Sequence, residues 1–274
     1  MENIDVRSWE DFEERLRGLR EEQLRRKNAT VLSVSPFLFR GQGNHTWPLT
    51  TTLERNGRDK LSFKKYYRLI SVVRPQIETF TEITWDVLDY PEYEKWLQQN
   101  DTLMPGNFPG YNYMIYLRHH GFPSPLLDWT RSPYIAAYFA FSHAIEVVER
   151  VSIYVLWEYT GSAKIWSSKK PHIHSLGPYV KSHRRHFLQQ SEYTICMVHD
   201  DEWRFVPHKE AFAHVDADQE QDILWKFNIP WTERLKVLKL LDGYNVNALS
   251  LFDSEESLME TMAFRELHFR ENDL

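Results

Sequence analysis

The chain has 274 residues, of which 42% are hydrophobic and ten are Trp, and it carries a formal net charge of −6 at pH 7. That length suits one large domain, or one domain with extensions, around a sizeable core. The acidic balance gives no bulk attraction to nucleic acid and leaves only a local basic patch to supply it.

The single cysteine, Cys196, excludes an internal disulfide framework and a Cys-rich zinc site. No apolar run reaches the length of a membrane span, and the first residues lack the apolar stretch of a signal peptide. A soluble, cytoplasmic protein is expected.

Val6, Trp9, Phe12, Leu16, Leu19 and Leu24 recur at helical spacing and predict an amphipathic helix over 6–27, with Ser8 at its cap. Its charged outer face reads as a solvated surface or as a docking helix for a partner. The pattern then switches to period two and predicts one or two short strands over 28–40, leading into Phe39-Arg40-Gly41-Gln42-Gly43. An arginine closing an apolar strand presents a planar donor fork that suits phosphate or carboxylate. The alternative is pairing with a structural carboxylate, for which Asp128 is the obvious partner. The two glycines allow close approach of backbone or ligand.

Residues 61–85 read as helical, with Pro75 kinking or ending the first segment. A short helix follows around Tyr93, Trp96 and Leu97, then a turn at 107–110. Tyr111 to His120 is a helix closed by Gly121. His119 and His120 fall at its C-terminus, where the helix dipole favours their charged form. No metal-ligand spacing accompanies them, so a structural role is the simpler reading.

The densest signal is 117–141. Leu126 to Thr130 reads as a buried strand ending in an acid, an indole and a hydroxyl. Ser132 and Pro133 then begin a helix whose Ala136, Ala137, Phe139 and Ala140 make a small-residue face for close packing. Val151 to Trp157 is a further strand, followed by a mixed loop over 162–181. Lys169, Lys170, His172, His174, Lys181, His183, Arg184, Arg185 and His186 form the most basic part of the chain. It is a solvated surface or a phosphate-tracking one.

Phe187 to Ile195 is a turn into a strand entered at Glu192. Residues 200–222 read as charged and irregular. A strand over Ile223 to Ile229 precedes Pro230, which opens a helix from Trp231 to Leu241 closed by Gly243. The last helix covers Glu255 to Phe264. The organisation expected is an N-terminal helix (1–28), one main domain (29–262) and a charged, fraying tail (263–274).

Together these stretches resemble the FRG domain family. The matching pieces are Phe39-Arg40-Gly41-Gln42, Trp47-Pro48-Leu49, Leu53-Glu54-Arg55 and the run from His119 to Pro133. Arg185 to Thr194 with Gln189 and Gln190, Phe227 to Pro230, and Ser250-Leu251-Phe252 also fit, so the resemblance spans 30–260. The order of the motifs is in turn similar to that of the ADP-ribosyltransferases. The resemblance implies an α+β fold, with a split β-sheet core of mostly antiparallel strands, peripheral helices and an NAD cleft between the halves.

It places Arg40 at the end of the first core strand and Asp128-Trp129-Thr130, with Ala137 and Phe139, at a hydroxyl-bearing triplet before a small-residue helix. Glu192 opens the third strand. The second motif departs from the pattern, because Asp-Trp stands where a Ser-Thr pair is expected. The catalytic residues implied are Arg40 and Glu192, with Asp128 as the second candidate carboxylate. NAD, as co-substrate, is expected on Phe39, Arg40, Gly41, Gln42, Trp129, Thr130 and Tyr138, with Trp129 or Tyr138 against nicotinamide and Thr130 on its ribose. No metal is expected.

The implied acceptor is nucleic acid, RNA before DNA, with protein still open. The implied role is that of a toxin or anti-phage effector with a protein antitoxin. Two other readings stand beside it: a non-catalytic nucleotide-sensing or binding module, and a nuclease built on His119, His120 and nearby carboxylates.

Overall fold

The computed structural model describes residues 1–99, 108–142, 148–162, 169–177, 180, 184–213 and 221–269. In chain order its elements are β1 (Glu2–Asp5), α1 (Trp9–Ala29), β2 (Leu38–Gln42), α2 (Thr52–Arg55), α3 (Phe63–Thr81), α4 (Tyr90–Gln99) and α5 (Tyr111–His119). Then come β3 (Leu127–Thr130), α6 (Pro133–Ser142), β4 (Arg150–Tyr159), β5 (His172–Ser175), α7 (Arg184–Leu188) and β6 (Ser191–His199). The chain continues through β7 (Trp203–Phe205), α8 (His208–Ala213), β8 (Gln221–Pro230), α9 (Arg234–Gly243), α10 (Ala248–Phe252) and α11 (Glu255–Phe264).

The strands form one sheet in the order β1-β8-β4-β2-β3-β6-β5, with β7 also on β6. Among the described residues β1 and β8 pair in parallel and the other pairings are antiparallel. The chain is therefore mixed α and β with a mostly antiparallel open sheet. The sheet is nearly divided at its centre. β2 makes five register pairs with β4 but one with β3, Phe39 opposite Thr130. Beyond Phe39 the two strands separate, and a cleft opens along the seam.

The Phe-Arg-Gly order follows from the alternation of a strand. Phe39 is buried in the core cluster that α1, α6 and α9 make with β4 and β8. Arg40 points to the opposite face, in register with Tyr154. Gly41 returns to the helical side, where α6 crosses so closely that a Cβ would stand 1.9 Å from the Ala136 carbonyl oxygen and 2.7 Å from the Ala140 amide nitrogen. The small residues of α6 and this glycine serve one contact, so at Gly41 the close approach is made by backbone. A second cluster joins α3 and α5 to Tyr193, Ile195 and Met197 of β6 and holds the other half of the sheet.

Several expectations change. α1 runs on to Ala29, and of the one or two strands predicted over 28–40 the end lies in β2 while the part before Leu38 makes a bridge between Val34 and Thr160, with Val31 exposed. Its apolar stripe ends early: Trp9, Phe12 and Leu16 are buried, whereas Leu24 is exposed. Pro75 lies inside α3 and does not end it. β5 replaces part of the loop predicted at 162–181, and β7 with α8 replaces part of the irregular stretch at 200–222. Polar residue types hid these strands, although His172-Ile173-His174 and Trp203-Arg204-Phe205 alternate. The predicted turn at 107–110 falls partly outside the described residues, as do Lys181, His183 and the end of the tail.

Candidate functional site

The seam cleft encloses about 770 Å³ and is lined by the end of β2, the 43–55 connection, the end of α5, β3 and the start of β6. That volume lies in the range of small-molecule sites, roughly 300–1,000 Å³. Of the sequence-predicted residues, Phe39, Arg40, Gly41, Gln42, Asp128, Trp129 and Thr130 line it.

Arg40 stands where the β2–β3 ladder fails. One terminal nitrogen donates to the backbone carbonyl of Asp128 at 2.7 Å, bridging the separated strands. Its Nε is buried with no hydrogen-bond partner among the described residues. Burial pulls the guanidinium below its ordinary range, and Asp128 only partly offsets this; the side chain remains a cation at neutral pH. The carboxylate of Asp128 is engaged elsewhere, its Oδ2 accepting from Arg118 at 2.6 Å. The side-chain pairing anticipated between Arg40 and Asp128 is thus a side chain-to-backbone bond. Asp128 Oδ1 and Gln42 Oε1 are also buried and without partners among the described residues. Three residues that line one cleft therefore each carry a buried donor or acceptor with its hydrogen-bonding capacity unspent.

Trp129 forms a wall, its indole fixed by donation to Thr194 Oγ1 at 2.7 Å. Thr194 in turn lies 2.8 Å from His208 Nε2. Burial, aided by Arg40, pushes His208 down to about 3. A buried neutral histidine resists protonation that the unfolded chain accepts, so it stabilises the fold above its ordinary value of 6.5 and that contribution is lost as pH falls toward 3. Denaturant unfolding between pH 4 and 7 is expected to show the wild type losing roughly 1.4 kcal/mol more per pH unit than His208→Gln, which keeps an acceptor for Thr194. Equal slopes would show that His208 is not held neutral.

Thr130 lines the cleft, but its hydroxyl is occupied: it donates to the Gln189 carbonyl at 2.7 Å and accepts from the Ser132 amide at 3.1 Å. It shapes the turn into α6.

Two predicted residues lie outside the cleft lining. Glu192 is second in β6, at the strand entrance as expected, but the residue is 4% exposed. It accepts from Arg131 Nε through one oxygen and from Ser175 Oγ at 3.2 Å through the other. Tyr138 donates to Glu260 at 3.3 Å in a separate small pocket beside Arg234 and Asp242.

His119 reaches the cleft wall. Its Nε2 lies 2.7 Å from Tyr193 Oη, which is 3.2 Å from His186 Nδ1. The dipole expectation is overturned here, because burial holds His119 below the ordinary histidine range. Burial likewise pushes the Tyr193 hydroxyl well up.

Trp47, 52% exposed, and Arg55 stand among the lining residues without having been assigned a role from sequence. Their signal was their place in the Trp47-Pro48-Leu49 and Leu53-Glu54-Arg55 stretches. Arg118 and Tyr193 carried no such signal, since only folding brings them to Asp128 and His119.

The basic stretch is less open than its composition implied. His172, His174 and His186 are buried, Arg184 pairs with Asp253 at 2.6 Å, and Arg185 lies over the Phe252 ring. Among the described residues no group of three or more His, Cys, Asp or Glu could hold a metal ion, and no helix is long and apolar enough to cross a membrane.

No curated protein and no solved structure matches this chain. The family match stops short of the later resembling pieces at Arg185 to Thr194, Phe227 to Pro230 and Ser250 to Phe252. It covers β2, the seam, β3 and α6, the elements that build most of the cleft: the model of the FRG domain matches residues 35–147.

Proposed function

We propose that the seam cleft binds NAD and transfers its ADP-ribose to a nucleic-acid acceptor. The observation that carries this reading is a set of buried, unspent polar atoms on residues from both sides of the cleft: Arg40 Nε and Gln42 Oε1 from β2, and Asp128 Oδ1 from β3. A buried polar atom without a partner costs about 1–3 kcal/mol, so a set of them on residues lining one cavity suits a polar ligand that can reach them. A guanidinium there favours a phosphate, and NAD carries two.

In this reading Arg40 anchors the pyrophosphate and Trp129 flanks the nicotinamide end. Asp128 is the carboxylate of choice, because it lines the cleft and Glu192 is turned onto Arg131 and Ser175. Its charge would stabilise the positive charge that develops at the ribose carbon as the bond to nicotinamide breaks. Glu192 then holds β5, β6 and the turn after β3 together.

For the acceptor, support moves from the basic stretch to the rim. The exposed Trp47 indole and the Arg55 guanidinium, both on the cleft lining, suit an unstacked base and its phosphate. RNA is favoured over DNA, and a role as a toxin or anti-phage effector with a protein antitoxin rests on the family resemblance.

The test is transfer of label from adenylate-labelled NAD to RNA, single-stranded DNA and total protein. Label is expected on RNA, reduced about 10²–10³-fold by Asp128→Asn and largely retained by Glu192→Gln. Loss in Glu192→Gln alone, with the fold intact, would return the catalytic role to Glu192. NAD binding without label on any acceptor would favour a sensing module.

A further inference from the structure

Building on the transferase reading, we infer that His119 is the base that deprotonates the acceptor, with Tyr193 and His186 as a proton path behind it. His119 is on the cleft wall, and Tyr193 and His186 lie beneath it, buried, with rings stacked at 5.7 Å between centroids. The hydroxyl of Tyr193 touches a ring nitrogen of each histidine, at 2.7 and 3.2 Å. With His119 Nε2–H donating to Tyr193 Oη, and Tyr193 O–H donating to His186 Nδ1, the Nδ1 lone pair of His119 is left for a ligand in the cleft.

The step balances. The acceptor's O–H or N–H passes its proton to His119 Nδ1 while the acceptor atom bonds to the nicotinamide-ribose carbon. The bond from that carbon to nicotinamide breaks, and its electron pair neutralises the ring nitrogen, so nicotinamide leaves uncharged. The Nε2 proton of His119 moves to Tyr193 Oη as the Tyr193 proton moves to His186 Nδ1. The net proton comes to rest on His186, away from the product.

The groups facing His119 are Asp128 from β3, which favours its protonation, Arg118 from α5, His120 just after it and His186 from α7, which oppose it, and the hydroxyl of Tyr193 from β6. Burial outweighs Asp128, so the neutral, base-competent form prevails near neutral pH, and transfer falls as pH drops through the lowered value.

The experiment combines three readouts on the full chain: ring-nitrogen NMR of His119, NAD binding, and label transfer against pH. Wild type is compared with His119→Gln and Tyr193→Phe. His119 is expected to titrate below the ordinary histidine range and to carry its neutral proton on Nε2. His119→Gln should keep NAD binding, lose about 10²–10⁴-fold in transfer and lose the acidic limb of the pH profile. Tyr193→Phe should slow transfer with binding intact.

A His119→Gln variant with wild-type transfer and pH profile would overturn the base and leave the transferase reading standing. A neutral proton found on Nδ1 would overturn it whatever the activity. A wild type that binds NAD but transfers nothing would overturn the transferase reading, and the base with it.

Discussion

Arg40→Met is expected to leave the melting temperature unchanged or raised while NAD binding is lost. The two effects separate because Arg40 is a half-buried cation whose Nε is fully buried, with one bond to a carbonyl and no carboxylate partner of its own among the described residues. Keeping a charge in such a place is costly, and replacing it with an apolar side chain of similar length is often neutral or stabilising. Methionine keeps an unbranched side chain of similar length opposite Tyr154. The price is paid at the cleft, where the ligand loses a desolvated guanidinium; such truncations weaken binding by about 2–5 kcal/mol. Thermal melts and calorimetric titration with NAD check the two halves. A fall in stability with NAD affinity unchanged would make Arg40 a strut of the seam and nothing more.

The second large effect is on the fold alone. Gly41→Ala is expected to cost about 3 kcal/mol, near the upper end for overpacking, because its Cβ would meet the Ala136 carbonyl at 1.9 Å and the Ala140 amide at 2.7 Å. Both are backbone atoms of α6, which cannot give way as a flexible side chain would. For a chain of this size the melting temperature should fall by roughly 6–12 °C. Gly18 in α1 is the control: nothing lies within 4 Å of the place its Cβ would take, so Gly18→Ala should stabilise by about 0.5–1 kcal/mol through helix propensity alone. Equal effects of the two substitutions would mean that α6 does not press on β2.

Much of the architecture was readable from local pattern. α1, α3, α5, α6, β4, β8 and α11 were placed by apolar spacing and by cap residues, and the Phe39-Arg40-Gly41 and Leu126 to Thr130 stretches were singled out before any geometry. β5 escaped because two buried histidines read as loop, and β7 because acidic neighbours masked its alternation. Most of the cleft lining from β2 and β3 was anticipated. Which carboxylate faces the cleft was not, since that depends on where Arg131 and Arg118 find partners: Arg131 draws Glu192 away, and Arg118 holds one oxygen of Asp128 and leaves the other unspent. Helix position alone also misread His119, where burial against Tyr193 outweighs the dipole.

The most direct measurement is a crystal structure of the protein with NAD bound. The predicted result is a pyrophosphate oxygen within hydrogen-bond distance of Arg40 Nε, the nicotinamide ribose against Asp128 Oδ1, and Glu192 still on Arg131 and Ser175. NAD bound elsewhere, or Glu192 swung into the cleft and onto the ribose, would contradict it.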